Sequence, residues 1–268
     1  MALSNLTVRV GVALALLPGV IALLWLGGPY FHALIIVAVA MSAHEYLCIT
    51  GFRAHAPSHA FGLLVIVGVA VATTAAPLFW LGPVIVGATL SVFLWHLFVP
   101  GDIPSTAARA GLMSLGVVYT GILPTFLVHL RALPDGFGWV FMVFAVVWLS
   151  DTGAFFTGRA IGRHKLYLRV SPGKTWEGAF GGIASSILGT FLTRWLFLPA
   201  LTPLDCLLIA IPGGALGQAG DLCESLLKRA YGVKDSGTSI PGHGGMLDRI
   251  DAVIFAAPYV YLMSRVLQ

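Results

Sequence analysis

Nine stretches of this chain are apolar for long enough to cross hydrocarbon, and that narrows its folds more than any other feature: residues 8–26, 30–49, 61–76, 78–99, 109–130, 137–157, 176–198, 203–227 and 249–267. About 20 residues coiled at ~1.5 Å each match a hydrocarbon layer of roughly 30 Å. Away from water every backbone N–H and C=O needs an internal partner, so only helices and closed barrels can span, and unbroken apolar runs are not the alternating strands of a barrel. The predicted class is therefore all-α: a polytopic integral membrane helical bundle of about nine transmembrane helices. Pro77 lies between the third and fourth runs and leaves eight as the alternative count. A hydrophobic share of 58% and a mean hydropathy of +0.92 exceed the roughly 45–50% apolar content of soluble domains. The runs and the loops between them leave almost nothing for a separate soluble domain, so residues 1–268 read as one membrane domain.

The first run follows Arg9 and is long enough to be a retained helix rather than a cleaved leader. With nine spans and a cytoplasmic amino terminus, twelve of the 15 Lys and Arg residues fall on the cytoplasmic side, leaving only Arg131, Arg194 and Arg265 outside. The positive-inside rule supports that orientation. Cys48, Cys206 and Cys223 stand in apolar surroundings without CxxC spacing, which suggests core packing rather than a disulfide or zinc framework.

Charge is scarce, at 10% of residues, and it is gathered late in the chain. Asp221, Glu224, Ser225 and Lys228 follow one another at i, i+3, i+4 and i+7, so a helix presents them on one face, and Asp248 and Asp251 share a face in the same way. Carboxylates near lipid are costly unless paired, hydrated or metal-bound, so each is a functional candidate. Asp221, Asp248 and Asp251 are the expected metal ligands, with Asp151 and Glu224 as further candidates. Hard oxygen donors favour Mg²⁺ over zinc, and a second cation has room in such a set. Glu45 and His44, near the end of the second run, fit a helix-packing hydrogen bond at least as well as a site role; Asp205 fits a helix cap.

Two polar loops offer seats for anions. Between residues 158 and 178, Pro172 and Gly173 are predicted to shape a turn, after which Lys174, the Thr175 hydroxyl, Ser171 and the first free amides of the next helix can face a phosphate. Gly173, Lys174 and Thr175 resemble the tail of a P-loop, yet Leu168 occupies the position of its first glycine, so ATPase chemistry of that type is rejected. The second loop contains Pro241, Gly242, His243, Gly244 and Gly245, whose unhindered backbone suits an anion. Lys228, Arg229, Lys234 and Arg249 are the expected phosphate-binding cations.

Ser225, Lys228, Arg229, Lys234, Asp235, His243, Gly244, Gly245, Asp248, Arg249 and Asp251 together resemble the carboxy-terminal signature of the phosphatidate cytidylyltransferases, also called CDP-diacylglycerol synthases. A second similar block runs from Asp151 through Arg159 and from Ser171 through Gly178, with Phe155 where tyrosine is common. The resemblance is specific over residues 151–251; residues 1–130 agree only as hydrophobic spans, and 131–268 form the expected catalytic half. It implies a multi-pass inner-membrane enzyme with a cytoplasmic site, which uses Mg²⁺ to make CDP-diacylglycerol and pyrophosphate from CTP and phosphatidic acid. It also implies a homodimer, and no nucleic acid partner is expected. Asp221, Asp248, Lys228 and Arg249 are then the expected catalytic residues, and Ser171, Lys174, Thr175, Ser225, Arg229, Lys234, His243, Gly244 and Gly245 the phosphate contacts. Rival readings are a transferase acting on an isoprenoid or other lipid phosphate, and a secondary transporter, whose acids would sit nearer the midplane.

Overall fold

Apolar runs become helices because their backbone finds no other partner away from water. A computed structural model of the chain describes residues 2–99 and 102–267, with side chains at 11, 12, 14 and from 16 onward within those ranges. The side chain of Arg9, one of the expected cytoplasmic cations, lies outside the described residues. The helices are α1 (Ala2–Leu26), α2 (Gly28–Ile49), α3 (Ala56–Ala75), α4 (Leu81–Phe98), α5 (Ile103–Gly116), α6 (Phe126–Arg131), α7 (Gly136–Ile161), α8 (Trp176–Phe197), α9 (Pro203–Ala230) and α10 (Leu247–Val266).

Six helical stretches among the described residues are long and apolar enough to cross a membrane: α2, α3, Leu78–Phe98, Ile103–Arg131, α7 and α9. The predicted nine is not reached on that criterion. α10 opens with Asp248, Arg249 and Asp251, and α8 is diluted by Glu177, Arg194, serines, threonines and glycines, so both have span length without the apolarity of the six. Many large apolar side chains point outward, Phe79, Leu188 and Trp195 among them, because lipid takes the place of water as solvent. This is a multi-pass membrane protein. Pro77 lies between helices, where it precedes a short turn at Leu78–Trp80. Of the cysteines only Cys206 is fully buried; Cys223 is exposed, contrary to the core role expected of it, since an apolar neighbourhood in sequence suits a lipid-facing position equally well.

The chain divides into two units. The first holds residues 1–128 and 235–247. Phe31, Val39, Tyr46, Leu47, Ile66 and Met113 are buried in it. Tyr46 donates its hydroxyl hydrogen to the Leu112 carbonyl at 2.8 Å, just ahead of a π-helical turn at Val117–Ile122. A Cβ on Gly116 would fall 2.6 Å from that tyrosine ring, so glycine is what lets the ring in.

The second unit holds residues 129–234 and 248–268. Its helices meet through missing side chains. A Cβ on Gly153 of α7 would fall 1.9 Å from the Ser185 hydroxyl of α8, and one on Gly220 of α9 would fall 2.5 Å from the Asp251 carbonyl of α10. Small residues allow such backbone approach in membranes, where no hydrophobic force draws helices together. Pro212 inside α9 has no N–H to give the Leu208 carbonyl; Tyr259 of α10 donates to that oxygen instead, at 2.6 Å. Thr202 and Asp205 form a reciprocal capping box at the start of α9, the role expected of Asp205.

Between α7 and α8 the chain forms an antiparallel ribbon, β1 (Lys165–Tyr167) with β2 (Ser171–Thr175), in which Lys165 pairs with Thr175 and Tyr167 with Ser171. Pro172 and Gly173 therefore lie within a strand, and the turn falls at residues 168–170, correcting the predicted turn. A two-stranded ribbon has only edges, so a proline costs it little.

Candidate functional site

Three helices and the ribbon carry the polar chemistry of the second unit. Asp151 is just past the middle of α7, Asp221, Glu224, Ser225 and Lys228 are on the last turns of α9, and Asp248, Arg249 and Asp251 on the first turns of α10. The close approach at Gly220 places the start of α10 against α9 beside Asp221. Asp151, Asp221 and Asp251 lie near enough to feel one another's charge.

Lys174 reaches from the end of β2 and pairs with Asp221 at 2.6 Å. Its ammonium also approaches the backbone carbonyl of Gln218 at 3.5 Å. The Gln218 amide donates to the Ser150 hydroxyl and to the Ala179 carbonyl, both at 3.1 Å, and so ties α9 to α7 and α8 one turn before Asp221. A cavity of about 630 Å³ opens here; Asp151, Ser171, Lys174, Thr175, Gln218 and Asp221 stand in its wall.

A second cluster lies deeper. Lys228 bridges Glu224 and Asp248, with N–O distances of 2.6 Å to each and side-chain exposures of 11%, 0% and 10%. Burial at that level makes the ion pairs obligatory, because neither carboxylate can recover hydration. Ser225 donates its hydroxyl to Asp221 at 3.3 Å, which connects the two clusters along one face of α9.

The remaining candidates are placed as follows. Thr175 is buried as the N-cap of α8, its hydroxyl oxygen accepting from the Gly178 N–H at 3.1 Å, and it also lines the cavity. Arg229 gives hydrogen bonds to backbone carbonyls, those of Val170 at 3.5 Å and Val233 at 3.2 Å, and thereby fastens the ribbon to the end of α9. Lys234 and Arg249 are exposed. His243, Gly244 and Gly245 belong to the first unit. There the Ile240 amide donates to the Gly244 carbonyl and the His243 amide to the Ile240 carbonyl, both at 2.9 Å, with Gly242 and Gly244 in left-handed backbone at φ 75° and 84°. That turn needs glycine at both places.

Glu45 is a residue that spacing alone undervalued. It is 2% exposed and accepts from the Ser236 hydroxyl at 2.9 Å, the Ser239 hydroxyl at 2.5 Å and the backbone amides of Met246 and Leu247 at 2.9 and 2.8 Å. A single carboxylate thus closes the glycine turn at both of its ends. Its only signal in the sequence is a lone acid in an apolar helix. Gln218 is equally inconspicuous: its signal is an amide three residues ahead of Asp221, directly after the small and apolar stretch 206–217.

Fold and polar cluster together define a multi-pass membrane protein with an acid- and lysine-lined cavity. A sequence profile described as "Cytidylyltransferase family" matches residues 7–267, and the chain belongs to that family. It is similar to a phosphatidate cytidylyltransferase of Brucella suis biovar 1, 35% identical over 98% of this chain and 95% of the relative. A protein of the same name from Synechocystis is 32% identical over 94% and 92%, and one from Bacillus subtilis 39% identical over 59% of each.

Proposed function

We propose that the chain transfers the cytidylyl group of CTP to phosphatidic acid, giving CDP-diacylglycerol and pyrophosphate for phospholipid biosynthesis. The observation that carries this reading is the meeting of Asp151, Asp221 and Lys174 at one cavity wall, in a chain whose full-length relatives bear the name phosphatidate cytidylyltransferase. A phosphate oxygen of phosphatidic acid forms the new bond to the α-phosphorus of CTP. The bond from that phosphorus to the bridging oxygen breaks, and pyrophosphate leaves with the electron pair. Because the attacking oxygen is already ionised near neutral pH, the protein need supply no nucleophile and no strong base; its task is to hold two anions in line.

The donor set fits Mg²⁺. Asp151, Asp221 and Asp251 form an all-carboxylate group within reach of one another's charge, the hard oxygen chemistry this cation takes. Asp151, Asp221 and Asp251 would hold it; Asp248 and Glu224, also expected as ligands, are engaged by Lys228 instead. When bound, the cation supplies neutralisation of the triphosphate and of the departing pyrophosphate. Lys174, at the cavity wall, meets a phosphate directly, and Lys228 keeps Asp248 and Glu224 in place. Ser171, Ser225, Arg229, Lys234 and Arg249 complete the phosphate contacts of this reading, and it assigns His243, Gly244 and Gly245 the same role on their chemistry. The distribution of lysine and arginine supports a cytoplasmic amino terminus and site, and placement in the inner membrane follows from the family resemblance. Homodimer formation belongs to the same proposal through the family resemblance.

Purified protein supplied with phosphatidic acid, labelled CTP and Mg²⁺ should yield a labelled liponucleotide and an equal amount of pyrophosphate; neither product forming would end the reading. Asp221→Asn should lower turnover at least about 100-fold while folded protein still accumulates in the membrane. Full activity in that variant at ordinary Mg²⁺ removes Asp221 from the site.

A further inference from the structure

The first unit contains a cluster of a different chemical kind, which the proposed reaction does not use. His44 and Cys48 stand four residues apart on α2, one turn above the other, and His59 faces them from the first turn of α3. The Cys48 sulfur is 3.6 Å from Nε2 of His44 and 3.9 Å from Nε2 of His59. One ligand atom from each of the three residues lies within 4.8 Å of both others, and the two imidazoles are nearly perpendicular, their centroids 5.0 Å apart. His44 is exposed, while Cys48 and His59 are half-buried. Between the two helices the chain turns through Gly51, at φ 85°, and a short 3₁₀ turn at Phe52–Ala54, so the residues are held by local structure.

We propose that His44, Cys48 and His59 form a binding site for a thiophilic cation of the zinc class, clasping α2 to α3. In a tetrahedral site with Zn–S of about 2.3 Å and Zn–N of about 2.05 Å, a sulfur and a nitrogen are about 3.6 Å apart. The pair on α2 already has that spacing, and the third ligand is within a few tenths of an ångström of it. Thiolate and imidazole select zinc-like ions over Mg²⁺, which takes oxygen, so this donor set and the carboxylates of the second unit draw on different cations. Three protein ligands leave a fourth position for water, and the exposed imidazole of His44 provides the way in. Binding replaces the thiol proton, so the site forms with release of a proton to solvent.

The test uses the full chain in detergent, with its affinity tag removed and Mg²⁺ in large excess. Co²⁺ should produce a sulfur-to-metal charge-transfer band, Zn²⁺ should displace it, and dialysis should leave one zinc per chain. Cys48→Ser should abolish the band and weaken zinc retention at least about tenfold, with His59→Gln weakening it comparably and Cys223→Ser leaving both unchanged. In the unaltered protein, zinc should slow alkylation of Cys48 and leave that of Cys223 alone, a readout independent of how the variants fold. No charge-transfer band, a band that survives Cys48→Ser, or equal alkylation of Cys48 with and without zinc would each show that the three groups make only weak thiol–imidazole hydrogen bonds.

Discussion

Two buried charges carry the most consequence at the level of single residues. Glu45 accepts four hydrogen bonds from residues 236–247, and Glu45→Gln would turn one of its acceptor oxygens into a donor facing other donors. The expected cost is about 1–3 kcal/mol. Hydrogen exchange at Met246 and Leu247 should quicken in that variant while the amides in the middle of α7 keep wild-type rates. Lys228 presents the opposite case: Lys228→Met strands Glu224 and Asp248 without their shared cation, which should cost about 3–5 kcal/mol in thermal or denaturant unfolding. Adding Glu224→Gln to Lys228→Met should restore part of that loss, and no recovery would show that the bridge is not what holds the pair.

Among the elements, the α9–α10 contact shows how a proline is tolerated within a span. The Leu208 carbonyl, left open by Pro212, is served by Tyr259. Tyr259→Phe should therefore destabilise by roughly 0.6 kcal/mol, the typical worth of an interhelical hydrogen bond in a membrane, measured by unfolding in mixed micelles. Helix positions and the face shared by Asp221, Glu224, Ser225 and Lys228 were legible in the sequence, because apolar length and i, i+3, i+4 spacing are local properties. The turn of the ribbon was not, since Pro172 and Gly173 usually mark turns and here lie in an edge strand. Nor were Gln218 and Glu45, whose partners lie on elements far away in the chain.

For the whole molecule, the charge distribution predicts a topology that chemistry can read. Arg169 sits exposed just beyond β1, so a cysteine placed there by Arg169→Cys in a chain without other cysteines should react with an impermeant maleimide only after the membrane is opened. Labelling in intact cells would reverse the orientation. Span count is where sequence reading reached least far: α8 and α10 have the length of spans but carry polar cargo, and hydropathy cannot distinguish a helix that crosses within protein from one that lies against lipid.

Glu45 also sets an order on biosynthesis. Its partners begin 191 residues further along, so a nascent chain must insert α2 and then wait through most of translation before that carboxylate meets a donor. Until then a charged or protonated acid occupies a membrane helix without its partners, and the first unit is completed only when the carboxy-terminal segment returns to it. Chains stopped before Ser236 would leave the ribosome with that debt unsettled, which makes them natural substrates for membrane quality control.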